Sequence, residues 1–266
     1  GFVGGVGANP FDLLCFGGVD FLRKPQNNWR IDGRADDLVR RVKEACRIKY
    51  ERIRRVKVPA VVNPEFKHKP EARPARCLTV IGSFSGGCLD LIRFIPSVRG
   101  DLHCAVVALH DMQQQAIGAF IDYLDGRSRL PVRSLISGEP LLEGVCYVHP
   151  ASVPLELVRE GGGVAARILS DLPGDRILDH FLISASKVMG KNLIAVLLSG
   201  GSDRGVEGLR AIRQVEGMTL VQDPVSSVDP RMVEAALSEG VVDYRCLAGN
   251  LAEAFQGLMR RMLSDD

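Results

Sequence analysis

From Cys77 onward, short apolar runs alternate with amphipathic stretches. That rhythm predicts a parallel sheet with helices on both faces. Cys77–Ile81 predicts a strand, and Gly86-Gly87 opens a helix toward Phe94. Leu102–Leu109 is apolar apart from His103, as in a strand buried on both faces. His110 stands at its carboxyl end, and a helix is expected over Gln113–Tyr123. Further helices are expected over Arg176–Met189, Val206–Val215 and Pro230–Ser238, and strands over Asn192–Ser199, Met218–Gln222 and Val241–Cys246. Residues 141–169 break the rhythm with short apolar pieces around Gly turns, which predicts antiparallel hairpins. The expected fold is three-layer α/β: a mostly parallel, doubly wound sheet with an antiparallel hairpin insertion.

Upstream the pattern is different. Asp36–Lys57 holds no Gly or Pro and predicts one helix, capped by Asp32 or Asp36. One face carries a loose apolar stripe (Leu38, Val42, Ala45), the other a dense basic one (Arg40, Arg41, Arg47, Arg54). Val58–Arg76 contains four prolines and no periodicity, so it reads as a linker. Near the start, Gly17-Gly18 fits a helix end and Val19–Leu22 a short strand.

Charge sharpens this division. Residues 1–76 carry 17 Lys/Arg against 9 Asp/Glu, or +8, whereas residues 77–266 carry 17 against 23, or −6. The basic helix is either a solvated face or a docking surface for an acidic partner. Nothing in the sequence suggests nucleic-acid recognition. With 46% hydrophobic and 25% charged residues the 266-residue chain is globular. It has no apolar run long enough to span a bilayer and no secretory signal. It lacks a starting Met, as a processed chain or a fragment would. Seven scattered cysteines without a CxxC pair predict free thiols in a reducing cytoplasm, not a metal or disulfide set. No cofactor is implied.

In an open parallel sheet, sites gather at the carboxyl ends of strands near a switch in strand order. Three polar loops occupy such ends: 82–87 (GSFSGG), His110-Asp111, and 199–205 (SGGSDRG). A serine-bearing strand-to-helix elbow, a histidine and an acidic loop are the parts of a Ser/His/Asp hydrolase. A glycine-rich turn serves equally as a phosphate cradle or for tight packing.

The order of the motifs resembles that of chemotaxis response-regulator methylesterases, the CheB-type protein-glutamate methylesterases. Over residues 78–255, the family's I-G-A-S-T-G-G is matched by 81–87, its Q-H-M by the stretch around His110, and its D-G-E-x-L-x-P-G-x-V-Y-I-A-P by 137–150. L-T-G-M-G-x-D-G is matched by 198–205, A-Q-D-x-x-S-S-V by 221–228, and G-A-V-D by 240–243. Upstream, GGVDFLRKP resembles the end of a receiver domain, with Lys24 at its switch lysine. The resemblance implies three segments: a receiver remnant at 1–30, a basic linker helix and Pro-rich linker at 31–76, and a methylesterase-like domain at 77–266.

The departures fall on the chemistry. The family's nucleophilic serine corresponds to Phe84, its triad aspartate to Arg204 and its loop methionine to Gly201, whereas the triad histidine is retained as His110. The family's H-R-P is replaced at Gly174-Asp175-Arg176, although Asp179 keeps the helix aspartate. A phenyl ring offers no lone pair, and a guanidinium repels imidazolium. Removing such a nucleophile costs roughly six orders of magnitude in turnover. The expectation is a catalytically impaired domain that binds a methyl-accepting chemoreceptor, a signalling adaptor or kinase, or a second copy of itself. The alternative is an active esterase in which Ser83 or Ser85 replaces Phe84 and Asp203 replaces Arg204, with His110 as base. In the bland reading Ser83 and Ser85 bond backbone at the helix start, His149 packs, and His103 and His180 sit at or near the surface.

Overall fold

In the computed structural model, residues 9–20, 35–71, 73–170 and 176–264 are described. Seven strands form one parallel sheet: β1 (Leu78–Ser83), β2 (Ala105–His110), β3 (Val132–Ser134), β4 (Val145–Pro150), β7 (Leu193–Leu197), β8 (Met218–Gln222) and β9 (Tyr244–Cys246). Their order is β3-β4-β2-β1-β7-β8-β9. Strand order therefore reverses between β1 and β7, and the loops leaving those two strands flank the switch point.

β1, β2, β4 and β7 are buried along their whole length. One face carries α3 (Gly87–Ser97), α4 (Gln114–Asp125) and α8 (Leu251–Ser264), with Phe94, Phe120 and Phe255 fully buried in its core. The other carries α5 (Ile177–Met189), α6 (Val206–Gln214) and α7 (Arg231–Ser238) around Phe181, Leu209 and Met232. At Gly208 an added Cβ would lie 2.5 Å from the Leu182 side chain, so glycine lets α6 close on α5. The separate pair β5 (Leu155–Glu160) and β6 (Gly163–Ile168) is antiparallel.

The expected elements after Cys77 are present with small shifts at their ends. Two expectations fail. Within 141–169 only β5 and β6 make a hairpin; 145–150 is a parallel strand beside β2. All six of its residues are buried, the signature of an interior strand that the nearby Gly turns obscured. The helix expected over 36–57 stops early: α2 is Ala35–Arg47, followed by a short 3-10 turn at Tyr50–Arg52. Beyond it the chain leaves the helix at an extended Ile53 and continues without helix or strand as far as a 3-10 turn at Pro64–Phe66. β-Branched Ile53, Val56 and Val58 weakly disfavour helix, and tertiary contacts hold the path. Val56 N donates to Cys15 O (2.8 Å), and the Arg52 guanidinium bonds the Pro224 and Ser227 carbonyls.

The Pro-rich stretch continues as a strap over the body, with Val62 N on Gly126 O and His68 N on Arg129 O. α1 (Pro10–Cys15) inserts Phe11 between Phe120 and Tyr123. The strand expected at 19–22 and Lys24 lie largely outside the described residues. The seven cysteines are free thiols, five of them buried. Among the described residues no helix is long and apolar enough to cross a membrane.

Candidate functional site

β1 and β2 pair in register to their ends, which sets Ser83 beside His110. Ser83 is 0% and His110 3% exposed. The His110 Nδ1 lies 3.1 Å from both the Ser83 hydroxyl and the Ser83 carbonyl oxygen. Burial lowers the His110 pKa, partly opposed by the neighbouring Asp111 charge. The imidazole is thereby biased toward its neutral form. Its ring packs on Phe120, with centroids 5.7 Å apart.

The elbow after β1 turns on Phe84 and Gly86. Phe84 N donates to Ser199 O (2.9 Å), tying the elbow to the loop after β7. Gly86 has φ +76°, and an added Cβ would lie 2.7 Å from Val228, so only glycine fits. The Phe84 ring is buried, and the Arg204 guanidinium stands over it at 5.0 Å from the centroid. The guanidinium thus faces the π surface of the ring at cation–π distance.

The other expected participants are elsewhere. Asp203 is 66% exposed and pairs with Arg176 (3.2 Å). Ser85 donates to Asp229 Oδ2 (2.7 Å) instead of approaching His110. So the structure unites Ser83 with His110 and leaves Ser85 and Asp203 apart from them. Neither serine makes the helix-start backbone bond expected of it. His149 is buried with Nε2 3.1 Å from Val153 O, His103 is exposed, and His180 is half-buried.

A second cluster escaped the sequence reading. Arg231 clasps Asp229 through Nε (2.9 Å) and Nη2 (2.6 Å), and Ser85 completes the group. Burial pushes the Asp229 carboxyl up, but the Arg231 and Ser85 bonds outweigh it and leave its pKa low. At Gly201 a Cβ would meet Arg231 Nη2 at 2.6 Å, Asp229 Oδ2 at 2.9 Å and Ser85 Oγ at 2.9 Å. The cluster therefore leaves no room for a side chain at Gly201. No sequence signal links Ser85 to a residue 144 positions away.

Two buried carboxylates brace the loops. Asp90 accepts from Ser199 Oγ (2.5 Å) and Gln222 Nε2 (3.0 Å). Burial raises its pKa to about 6, against the pull of those bonds. Asp179 accepts from Gly205 N and Gly208 N, both at 3.0 Å, and so holds the start of α6. α2 closes the rim. Arg40 pairs with Asp111 (2.7 Å), and Arg41 reaches Asp111 (3.8 Å) and Asp20 (2.6 Å). Part of the basic face is thus spent within the chain. Among the described residues no group of His, Cys, Asp and Glu could hold a metal ion.

A parallel α/β sheet, a strand-to-helix elbow at its switch point and a histidine on the adjacent strand end define an esterase-type α/β scaffold. A family model for CheB methylesterase matches residues 79–255, and the chain belongs to that family. The catalytic domain of Thermotoga maritima CheB methylesterase superposes with a TM-score of 0.65 and 26% identity, covering 68% of this chain and 98% of that one. A protein-glutamate methylesterase/protein-glutamine glutaminase of Pyrococcus abyssi is 28% identical over 238 residues, 87% of this chain and 64% of the relative. One from Carboxydothermus hydrogenoformans is 31% identical over 240 residues, 87% and 67% respectively. The chain thus spans about 64% of the length of the Pyrococcus relative.

Proposed function

We propose that this chain is a cytoplasmic chemotaxis-type signalling protein whose methylesterase-like domain is catalytically impaired and acts by binding. The observation that carries this reading is the elbow: a buried Phe84 under the Arg204 guanidinium at 5.0 Å. The scaffold around it is intact, which suits a retained binding surface. The partner is a methyl-accepting chemoreceptor or its adaptor or kinase, by analogy with relatives named protein-glutamate methylesterases. The receiver-like reading of residues 1–30 belongs to the same proposal.

A second reading has one observation in its favour, the 3.1 Å contact of Ser83 Oγ with His110 Nδ1. In it Ser83 attacks a glutamate methyl ester and His110 takes its proton. Against it, Ser83 is wholly buried, and the described contacts of His110 include no orienting carboxylate.

Methanol release from methylated receptor membranes separates the two. The binding reading expects background release from the chain and from its His110→Ala and Ser83→Ala variants alike. Release that vanishes in both variants would establish Ser83 as nucleophile and end the binding reading.

A further inference from the structure

The strap after α2 bridges a cleft of about 880 Å³ against α3 and the loops after β8 and β9. Five cations line it: Arg54, Arg55, Lys57, Arg93 and Arg127. No Asp or Glu does. Arg54 bonds only a carbonyl, that of Glu51, and Arg55, Lys57 and Arg93 form no ion pair among the described residues. Arg127 lies over the Tyr123 ring at 3.9 Å and pairs with Asp12 at 3.5 Å, yet its buried Nε has no hydrogen-bond acceptor among the described residues. The strap is anchored on both sides of the cleft by Val56 N on Cys15 O and Val62 N on Gly126 O. The cavity is thus built into the fold.

We propose that this cleft binds a nucleotide-sized molecule carrying two or more phosphate groups. Its volume lies in the range of small-molecule sites, roughly 300–1,000 Å³. Cations converging on one cavity repel each other when it is empty, and a multiply charged anion removes that repulsion. Four of the five are arginines, whose planar forks match phosphate oxygens. Val58, Pro59, Pro96 and Leu247 supply apolar wall for the rest of the molecule. Arg clusters also read acidic peptides, but a compact cleft with an apolar wall beside its cations suits a small molecule better. The site is separate from the Ser83–His110 elbow, so it stands whether or not the domain hydrolyses esters.

Calorimetric titration of the full chain with tripolyphosphate, then with ATP and GTP, tests the assignment. The nucleotides are expected to bind more tightly than tripolyphosphate. The Arg55→Ser/Arg93→Ser variant is expected to weaken binding at least about tenfold. Lys57→Ser, on the exposed strap, gives a milder loss without touching α3. An Arg159→Ser/Arg167→Ser control on the β5–β6 hairpin is expected to change affinity less than about twofold, as charges beyond a Debye length are screened. Absence of binding by all three anions overturns the proposal. So does equal weakening by the control, which makes the attraction diffuse. Tighter binding of a glutamate decapeptide than of either nucleotide assigns the cleft to acidic peptides instead.

Discussion

Beneath the elbow, Asp90 joins Ser199 and Gln222, and Asp179 holds two amides at the start of α6. Those groups are buried, charged or polar, and hydrogen-bonded. Above them, at the mouth, the Arg204 guanidinium stands over the buried Phe84 ring, and Arg231 with Asp229 and Ser85 crowds Gly201. The lower layer sets the loop geometry, and losing one of its partners strands a buried polar group, which is costly. The mouth can change its chemistry while the fold stands. Under the proposed binding function, the buried layer keeps the scaffold while the mouth carries a different set of side chains.

The largest test of that contrast restores the mouth. Phe84→Ser with Arg204→Asp is expected to raise methanol release by about 10²-fold or more through a restored nucleophile and a carboxylate that orients the base His110. Adding His110→Ala should abolish the gain. A revertant without activity would mean the lower layer has also drifted from a catalytic geometry.

Removing Arg231 leaves Asp229 buried with Ser85 as its remaining side-chain partner. Arg231→Ala should lower the urea unfolding free energy by about 2–3 kcal/mol. A change below 0.5 kcal/mol, taken as about the scatter of surface substitutions, would make the cluster a surface ornament.

The lower layer is tested by pH. In the folded chain Asp90 has its pKa raised to about 6. The folded state therefore holds that proton more tightly than the unfolded chain does. Its contribution is greatest below the unfolded value near 3.8 and is lost as pH rises to about 6. Asp90→Asn removes this dependence. Relative to the parent, its stability should rise by up to about 3 kcal/mol from pH 4 to pH 7, measured by denaturant titration. A constant offset between the two proteins across that range would contradict the buried, proton-holding carboxyl.

The smallest effect is expected at the rim. Arg40 is 40% exposed where it meets Asp111. Arg40→Ala should cost less than about 1 kcal/mol. A larger loss, read from the same titrations, would show that α2 is a structural part of the site.

How far these features could be read in advance differs by their range. The alternating strand and helix pattern after Cys77 is a local signal, and it held. His110 was legible as the end of an apolar run. The parallel strand at 145–150 was not, because the Gly turns around it made its short apolar run read as one arm of a hairpin. The early end of α2 was hidden for a different reason. Residues 36–57 lack any breaker, and bonds to Cys15, Pro224 and Ser227 add to the weak preference of β-branched residues in keeping the second half out of the helix.

The sequence by itself determined the sheet-and-helix order, the free thiols, the family resemblance and the identities of Phe84, His110 and Arg204. Those depend on composition, periodicity and motif order along the chain. The tertiary structure alone decided that Ser83 rather than Ser85 meets His110, that Asp203 faces away, that Ser85, Asp229 and Arg231 form one cluster, and that the strap encloses a cationic cleft. Each of these joins residues far apart in the chain, and short-range pattern carries no information about which distant side chains the packing of helices and strands brings within a few ångströms.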